Sequence, residues 1–578
     1  MKEEMTTGVF SLLWPDGTGN IGNNRLGAKV NHFVADLSLE ELAVALSFDR
    51  NHRITVEKLL NKITHNPEII NYRLDIFEDL MANPELPQTF ESILPLLDNL
   101  DTPGYADDSK FLQAVYRLGE LEVYVDCIQR LQLGLKASDI KSRGLSQLRQ
   151  VINEAADNSD FKTLANELPK MRSGFSRLAS ITIGVNLNDK LHPYQATLLS
   201  INDREFKGAS ILNRFSHKSA SDSPYQGISP LITIEKIEAY KNNQVQRVDN
   251  PFHLAFFEEI SNIVDSLINP IAAEIRQFTK FNSRLLVSLK SELAFLLGAV
   301  HLLQKIRATG LPLCRPVVLN KELRTFKCRE IYNINLARQQ SFTQADLSQT
   351  VVTNDVVFDE EGRIFILTGP NRGGKTTYTQ AIGLIQILCQ LGIFVPGREA
   401  EISPVDAIFS HFPVTEKPDS NMGRLGEESE RLNEIFQNAT PYSLILLNES
   451  LSSTSPGECL YLSREILIGL KLLGARTIFA THLHELAANL EEFNTNIPGP
   501  SKVVSMVSGV THDGDLDTEG ADFNPRTFKF TPGPPQGLSY ARDIAARYGI
   551  SIEKLVALMQ NRALIEEDFA MDFRKLDT

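Results

Sequence analysis

The sequence predicts an α + α/β fold, in which a helical core or lever domain with a small β-rich insert precedes an α/β domain with a mostly parallel sheet. Apolar residues recur every three or four positions through most of residues 34–310. Residues 180–201 alternate instead, as a half-buried strand does. Beyond about residue 340, short apolar runs alternate with helical patterns, which is the order that produces parallel sheets.

The 578-residue chain is too long for a single hydrophobic core, so several domains are expected. We expect an irregular segment over 1–33 and a helical domain over 34–310, with its β-rich insert near 180–230. The α/β domain is expected over 311–578.

Local signals predict where the first helices and the insert begin. Ser38 and Glu41 have the spacing of a capping box, and Asn66-Pro67 is typical of a helix start. Ser180–Leu187 is a predicted strand, and Ala196–Ile201 is its predicted partner.

Two features between residues 260 and 330 each have two interpretations. An apolar stripe at helical spacing runs from Ile260 to Leu296, and periodicity does not separate a core helix from a long lever. Residues 301–330 carry seven basic residues against two acidic ones, and we favour a solvated linker over a phosphate-contacting patch. The basic residues are Lys305, Arg307, Arg315, Lys321, Arg324, Lys327 and Arg329.

Composition indicates the environment of the protein. The net charge of −14 argues against a globally basic coat for nucleic acid but allows a local basic track. The five cysteines form no C-x-x-C pair and no disulfide framework, which suits a reducing compartment. No apolar run approaches the ~18 residues that span a membrane. We therefore expect a cytoplasmic protein without a membrane partner.

The strongest functional signal is Thr368–Thr377, which reads TGPNRGGKTT and matches the phosphate-loop pattern G-x-x-x-x-G-K-[ST]. It follows a predicted buried strand, Ile364–Leu367, and precedes a predicted helix, Thr377–Leu391. In such a loop, Lys375 bridges the β- and γ-phosphates of ATP and the Thr376 hydroxyl ligates Mg²⁺. The expected nucleotide-binding residues are Gly369, Pro370, Asn371, Arg372, Gly373, Gly374, Lys375, Thr376 and Thr377.

Two further strand ends supply the remaining groups of an ATPase centre. The apolar run Tyr442–Leu447 ends in Asn448 and Glu449, and Thr477–Ala480 is closely followed by His482. Because the carboxyl ends of parallel strands share one edge of a sheet, these side chains should face the phosphate loop. Glu449 is the expected catalytic group that orients or deprotonates water, and His482 is expected to sense the γ-phosphate.

Asn448 occupies a position that usually carries the Asp that supports Mg²⁺. An amide oxygen accepts a hydrogen bond from a metal-bound water but brings no charge. We therefore expect a metal site formed by Thr376 and Asn448, weaker metal binding and slow hydrolysis. Glu458 is an alternative source of charge that the sequence does not place.

Together these motifs resemble the MutS family of DNA mismatch-repair ATPases. The loop is similar to the family's T-G-P-N-M-G-G-K-S-T, with Arg372 at the usual Met and Thr376 at the usual Ser. Asn438–Glu449, which reads NATPYSLILLNE, is similar to the family's N-A-T-x-x-S-L-V-L-x-D-E. Ala480–His482 resembles its S-T-H.

The resemblance is specific over about 290–550 and weaker over 36–290. Ser291–Ala294 and Cys314–Pro316 are similar to the end of the family's lever domain. The resemblance implies an ABC-type P-loop ATPase domain with ATP and Mg²⁺ as cofactors. It also implies a homodimer whose nucleotide state controls a clamp on DNA.

The sequence departs from the family in its N-terminal and signature regions. It begins near the lever domain, so mismatch-reading and connector domains are not expected. The family's N-terminal Phe-x-Glu wedge has no counterpart there, since Phe256–Glu258 and Phe358–Glu360 carry those letters elsewhere. In the signature segment, Asp419–Glu434, Gly423 aligns with the family's Ser and Ser420 is nearby.

We therefore predict an ATP-dependent DNA-binding protein, related to DNA mismatch repair, that reads duplex, branched or irregular DNA structure rather than mispairs. Two alternatives remain open. One is a motor of the same kind that acts on RNA or ribosomes. The other is a switch that binds ATP with little hydrolysis.

Overall fold

The computed structural model describes most of the chain. The described residues are 10–15, 32–61, 63–100, 110–176, 180–190, 193–202, 284–370, 372–413, 423–510, 526–535, 549–550 and 552–562, with positions 204, 275, 278 and 564.

Helices make up most of the first part of the described chain. The α-helices are α1 (His32–Asp36), α2 (Leu39–Leu46), α3 (Arg53–Leu60), α4 (Pro67–Ala82), α5 (Glu85–Leu100), α6 (Lys110–Ala137), α7 (Arg143–Asp157), α8 (Ser159–Ser176), α9 (Arg284–Ala308), α10 (Ile334–Gln340), α11 (Lys375–Leu391), α12 (Arg424–Asn438), α13 (Pro456–Leu473), α14 (His484–Ala488), α15 (Leu490–Asn496) and α16 (Ile552–Asn561).

Among the described residues, one hairpin lies in the first half and the other strands lie in the second half. They are β1 (Ser180–Leu187), β2 (Pro193–Asn202), β3 (Leu313–Cys314), β4 (Val317–Val318), β5 (Phe326–Ile331), β6 (Asn354–Phe358), β7 (Ile364–Thr368), β8 (Val395–Pro396), β9 (Glu399–Ile402), β10 (Ile408–His411), β11 (Leu444–Asn448), β12 (Arg476–Ala480), β13 (Val503–Val510) and β14 (Arg526–Pro532).

The chain divides into two compact units. One comprises residues 1–87, 139–145 and 291–578, and the other comprises residues 88–138 and 146–290. The domain bounds expected from the sequence remain predictions.

The second unit contains the predicted hairpin. Strands β1 and β2 pair antiparallel, with Ile181 opposite Ile201, which confirms the strands predicted from the alternating pattern. The polar segment from 205 to 230, the rest of the predicted insert, lies outside the described residues.

The first unit is built on a six-stranded sheet with the order β10-β11-β12-β7-β13-β14. Every neighbouring pair is parallel except β13 and β14. The three predicted apolar strands are β7, β11 and β12, and all of their residues are buried. The predicted α + α/β class with a mostly parallel sheet is thus confirmed.

The basic stretch 301–330 is not a linker, and that prediction was wrong. It contains the end of α9 and strands β3, β4 and β5, the last of which lies inside the sheet β4-β9-β5-β6. Lys327 lies 3.2 Å from Asp359, and Arg329 lies 3.6 Å from Glu399. The positive charges on β5 are therefore balanced by neighbouring strands and turns, which also weakens the alternative of a phosphate-contacting patch.

Helix α9 is the described part of the long apolar stripe. The most apolar 18-residue window of its segment Leu285–Ala308 has a mean hydropathy of 1.6, and the segment is long enough to cross a membrane, contrary to the expectation that no run approached that length. In this protein 61% of its most apolar window is buried, as in a core helix. Packing therefore accounts for its composition. The stripe before residue 284 lies outside the described residues, apart from positions 275 and 278.

The predicted helix caps had different outcomes. Asn66 accepts a hydrogen bond from the Glu68 amide at 2.9 Å, and Pro67 begins α4, which confirms this start. Ser38 precedes α2 but makes no side-chain cap bond, because its backbone is left-handed with φ of 53°. Glu41 pairs instead with Arg338, so the capping box was wrong.

The five cysteines are all free thiols. Four are buried and Cys314 is half-buried. Burial is the main cause that raises the pKa of each, to about 12 for Cys127, Cys314 and Cys389. The absence of a disulfide framework, expected from their spacing, is thus confirmed.

Gly298 is the point of closest approach between α9 and the end of α2. A β-carbon at this position would lie 2.1 Å from the carbonyl oxygen of Leu46. Because the obstacle is backbone, we expect Gly298→Ala to lower the free energy of unfolding by about 2 kcal/mol, measured by thermal denaturation.

Gly119→Ala is the matched control, because no heavy atom lies within 4 Å of a β-carbon there. Alanine favours a helix over glycine by up to about 1 kcal/mol, so this variant should be at least as stable as the parent. Equal stability of the two variants would contradict the close approach at Gly298.

Candidate nucleotide-binding site

The phosphate loop connects the central strand β7 to helix α11. Gly374 precedes the helix with φ of 87°, and its α-carbon faces Phe528, which would lie 3.3 Å from a β-carbon. A β-carbon on Gly369, whose φ is 149°, would lie 2.6 Å from the β-carbon of Ser508 on β13. The loop therefore requires glycine at both positions, and its backbone lies close against β13 and β14.

Lys375 begins α11 and turns its ammonium group back into the loop. Nζ donates to the carbonyl oxygens of Gly369 at 2.9 Å and of Pro370 at 3.1 Å. The residue is 4% exposed, and burial lowers the pKa of the amine while the charge of Glu449 opposes the shift. The positive charge is thus held against the backbone of the loop.

Thr376 and Asn448 lie together, as the sequence predicted. The Thr376 hydroxyl donates to the amide oxygen of Asn448 at 3.3 Å. Asn448 is the last residue of β11, is 4% exposed, and lies beside Ala480 of the parallel strand β12. These two oxygen atoms are hard ligands of the kind that Mg²⁺ prefers, directly or through water.

The structure places the alternative source of charge, Glu458, at a helix start. Among the described residues no group of three His, Cys, Asp or Glu residues could hold a metal. The alternative, Glu458, is a capping residue of α13: its carboxylate accepts from the hydroxyls of Thr454 and Ser455. These hydroxyl bonds are the main cause that lowers its pKa.

Glu449 and His482 form a hydrogen-bonded pair above the sheet edge. His482 Nε2 lies 2.8 Å from Glu449 Oε1, and the Glu449 amide donates to the Ala480 carbonyl at 2.8 Å. The bond from His482 is the main cause that lowers the pKa of Glu449, with a further contribution from Lys375. The carboxylate is therefore ionised at neutral pH and can accept a hydrogen bond from water.

The structure brings five sequence-predicted residues to one sheet edge: Lys375, Thr376, Asn448, Glu449 and His482. Pro370 and Gly373 belong to the loop, and Thr377 lies in the first turn of α11, whereas Arg372 is exposed and Asn371 lies outside the described residues. The roles assigned to these residues stay predictions. The arrangement fits a nucleoside triphosphate with Mg²⁺. It combines the buried Lys375 ammonium, the hydroxyl and amide oxygens of Thr376 and Asn448, and glycines at positions that admit no side chain.

Sequence reasoning missed a cavity of about 180 Å³ beside the loop, bordered by Gly374 and Thr377. Tyr378 stacks on Phe530 in its wall, with ring centroids 4.7 Å apart. Asn354 holds β14 in place, since its amide donates to the Phe528 carbonyl at 3.0 Å. Isolated aromatic residues in a late strand give no pattern that would connect them with a loop more than 150 residues earlier.

Comparisons with known proteins agree with this geometry. Residues 365–508 match the family model described as MutS domain V, and residues 65–309 match the model described as MutS2 N-terminal domain. The chain is 37% identical over 172 residues to a DNA mismatch repair protein MutS from Chlorobium limicola, covering 28% of this chain and 18% of the relative.

Other relatives show the same pattern. MutS from Caldicellulosiruptor bescii is 39% identical over 152 residues, which is 26% of this chain and 17% of the relative. MutS from Chlorobaculum tepidum is 30% identical over 227 residues, which is 37% of this chain and 24% of the relative. The chain thus spans less than a quarter of the length of these curated relatives.

Removal of the Lys375 ammonium should abolish ATP binding. We expect Lys375→Ala to lose at least 100-fold in ATP affinity, because charge-assisted contacts to phosphate are lost from a buried site. The fold should survive, since Nζ bonds only to loop carbonyls. Isothermal titration with a non-hydrolysable ATP analogue measures the loss. The control is Lys321→Ala, which removes a half-buried ammonium that lies over the Tyr442 ring instead of in the loop.

Equal affinity of Lys375→Ala and the parent protein would contradict the phosphate-loop assignment. Circular dichroism of both proteins shows whether a loss of affinity reflects a loss of fold.

Proposed function

Since the chain belongs to the MutS family, with a domain V ATPase and a MutS2-type N-terminal region, we propose that it hydrolyses ATP to control its hold on DNA. The observation that carries the proposal is the meeting of Lys375 and Thr376 with Asn448, Glu449 and His482 at the carboxyl ends of three adjacent parallel strands. This arrangement supplies the groups that ATP hydrolysis requires: a cation that binds phosphate, oxygen ligands for a metal and a carboxylate that orients water.

Each residue has a defined task in hydrolysis. Lys375 neutralises phosphate oxygens, and the loop amides bind them without side-chain reorganisation. Glu449 accepts a hydrogen bond from the attacking water, and His482 fixes the orientation of this carboxylate. Thr376 and Asn448 would hold Mg²⁺, directly or through water, and the ion would offset the negative charge of the phosphates. The cavity beside Thr377 is suited to the nucleoside, since its wall is mainly apolar and aromatic.

DNA is the proposed polymer because the similar proteins are named DNA mismatch repair proteins. Mismatch reading itself has less support. Phe358 of the Phe-Asp-Glu sequence is fully buried and stacks on Phe365, and Asp359 pairs with Lys327. This sequence is therefore no wedge, and the similar Phe256–Glu258 lies outside the described residues. We propose recognition of duplex, branched or irregular DNA structure.

A homodimer is proposed on the same family basis. The signature segment that faces a partner's nucleotide in the family overlaps α12, whose first flanking residue is Gly423. No heavy atom lies within 4 Å of a β-carbon at Gly423, so a side chain there would be accommodated. Asp419 and Ser420 lie outside the described residues.

The decisive experiment is ATP turnover of the purified protein, alone and with duplex, branched or single-stranded DNA and with RNA. Stimulation by structured DNA supports the proposal. Stimulation by RNA alone would favour an RNA-acting motor, and ATP binding without turnover under any condition would favour a non-hydrolysing switch.

Replacement of Glu449 should separate binding from hydrolysis. We expect Glu449→Gln to bind ATP with nearly parental affinity and to lose about 100-fold or more in kcat, because an amide neither accepts a proton nor holds water as strongly. Single-turnover hydrolysis and ATP titration measure the two quantities. Unchanged turnover would remove Glu449 from its role, and Glu458→Gln, at the cap of α13, is the control.

Asn448 is expected to limit the affinity for Mg²⁺. We expect Asn448→Asp to lower the Mg²⁺ concentration at half-maximal turnover about tenfold and to raise the rate, because a carboxylate adds charge in a site of low dielectric. A magnesium titration of turnover for the parent and the variant tests this. If the variant needs the same or a higher Mg²⁺ concentration for half-maximal turnover, the amide of Asn448 does not limit metal binding.

DNA binding should depend strongly on salt and little on base pairing. We expect affinity to fall at least 100-fold between 50 mM and 200 mM salt, because phosphate contacts release counterions. Fluorescence anisotropy with a matched duplex and the same duplex carrying one mismatch should give affinities within about threefold, whereas each wrong base pair typically costs about 1–3 kcal/mol in base-reading proteins. Tight, mismatch-selective binding would contradict this prediction.

A further inference from the structure

The turn that carries Glu449 has an unfavourable backbone. Glu449 has φ of 49° and Leu451 has φ of 64°, so two non-glycine residues adopt the left-handed conformation on either side of Ser450. Side chains with a β-carbon rarely adopt this conformation, and it persists only where neighbouring contacts over-determine it. The Glu449 amide is fixed by the Ala480 carbonyl, but that bond does not fix the residues that follow.

Ser450 supplies the missing restraint at the centre of the turn. It is 4% exposed, and its hydroxyl lies 2.8 Å from Nδ1 of His411, the last residue of the neighbouring strand β10. His411 is 1% exposed. Burial, with a smaller effect of Arg431, lowers the pKa of the imidazole to about 3, so the ring is neutral and Nδ1 can accept a hydrogen bond from the Ser450 hydroxyl.

The same histidine also connects the turn to helix α12. The backbone of Glu428 faces the His411 ring and opposes part of the lowering of its pKa. The Glu428 carboxylate accepts a hydrogen bond from the Ser453 hydroxyl at 3.1 Å. Ser453 lies two residues beyond the strained turn. Arg431, one helical turn further, donates to the Ser410 carbonyl at 2.9 Å and pairs with the buried Asp36. Helix α12, β10 and the turn thus form one polar network.

We propose that His411 and Ser450 are positioning residues for hydrolysis, which hold the strained turn so that the Glu449 carboxylate faces the phosphate loop. Neither side chain needs to touch nucleotide in this role. Removal of the pair lets residues 449–451 relax toward ordinary backbone angles and moves the carboxylate. The inference rests on the proposed ATPase function, and it adds two residues that the phosphate-loop, metal and water-orienting assignments do not use.

A purely structural role for the pair predicts different behaviour. If the hydrogen bond only satisfies two buried polar groups, its loss lowers stability but leaves the catalytic rate of the folded protein unchanged. If the bond positions Glu449, kcat falls while ATP affinity and KM stay constant, because Lys375 and the loop amides are not part of the network.

The test compares four single variants in the full chain, assayed well below their unfolding temperatures. Ser450→Ala removes the hydroxyl. His411→Asn keeps a polar atom close to the position of Nδ1, whereas His411→Gln keeps one close to Nε2, toward the Glu428 side. Thr454→Ala is the matched control, because it removes a hydroxyl from the same segment that bonds only to the capping residue Glu458.

We expect Ser450→Ala and His411→Gln to lower kcat roughly 10- to 100-fold, the range for a small displacement of a catalytic group. ATP affinity should change less than twofold in both. His411→Asn should retain most of the turnover, and Thr454→Ala should match the parent. The double variant Ser450→Ala/His411→Gln should be no slower than either single variant, because the two residues act through one bond.

Two results would overturn the positioning role without affecting the proposed ATPase function. One is a parental kcat in Ser450→Ala, and the other is an equal loss of kcat in His411→Asn and His411→Gln. In either case Glu449→Gln still loses turnover, so the proposed ATPase function stands. A parent protein without turnover in any nucleic-acid condition would overturn the ATPase proposal, and the positioning role with it.

Discussion

Parallel strand pairing is the constraint on which the candidate site depends. Strands β7, β11 and β12 run side by side in one direction, so their carboxyl ends bring the phosphate loop, Glu449 and His482 to one edge. Glu449 lies 74 positions after Lys375 and 33 positions before His482 in the chain, so no local interaction could bring the three together. All residues of the three strands are buried, so a shift of register would expose or misplace a whole set of side chains and is strongly disfavoured.

Sequence reasoning was most successful where one local pattern determines one structure. The glycine spacing of the loop, the apolar strands and Asn66-Pro67 each carry their own signal, and the structure contains the strands and the cap. It failed where the outcome depends on distant partners. The basic residues of β5 were predicted to belong to a linker, whereas in the fold they pair with Glu399 and Asp359. Ser38 makes no side-chain cap bond because its backbone is left-handed. The contact between His411 and Ser450 joins positions 39 residues apart, and neither residue type is unusual in a sequence.

Rigid and strained elements are combined at this edge of the sheet. The loop is held by glycines that approach β13 and β14 closely, and the glutamate turn is held by side-chain hydrogen bonds despite its backbone. Such placement is expected at a site where a side chain must be kept in one position. The Glu428 side chain of helix α12 accepts a hydrogen bond from Ser453, two residues beyond the turn, so a displacement of this helix has a direct physical route to Glu449.

The burial of the five thiols has a practical consequence for observing this protein in motion. The thiolate is the form that reacts with maleimide dyes, and burial raises the pKa of every cysteine here. A cysteine introduced at an exposed position, for example in place of Ser452 near the glutamate turn, would therefore be the preferred site of labelling without removal of the native thiols. Distances between two such dyes could then be followed by energy transfer in single molecules through a nucleotide cycle.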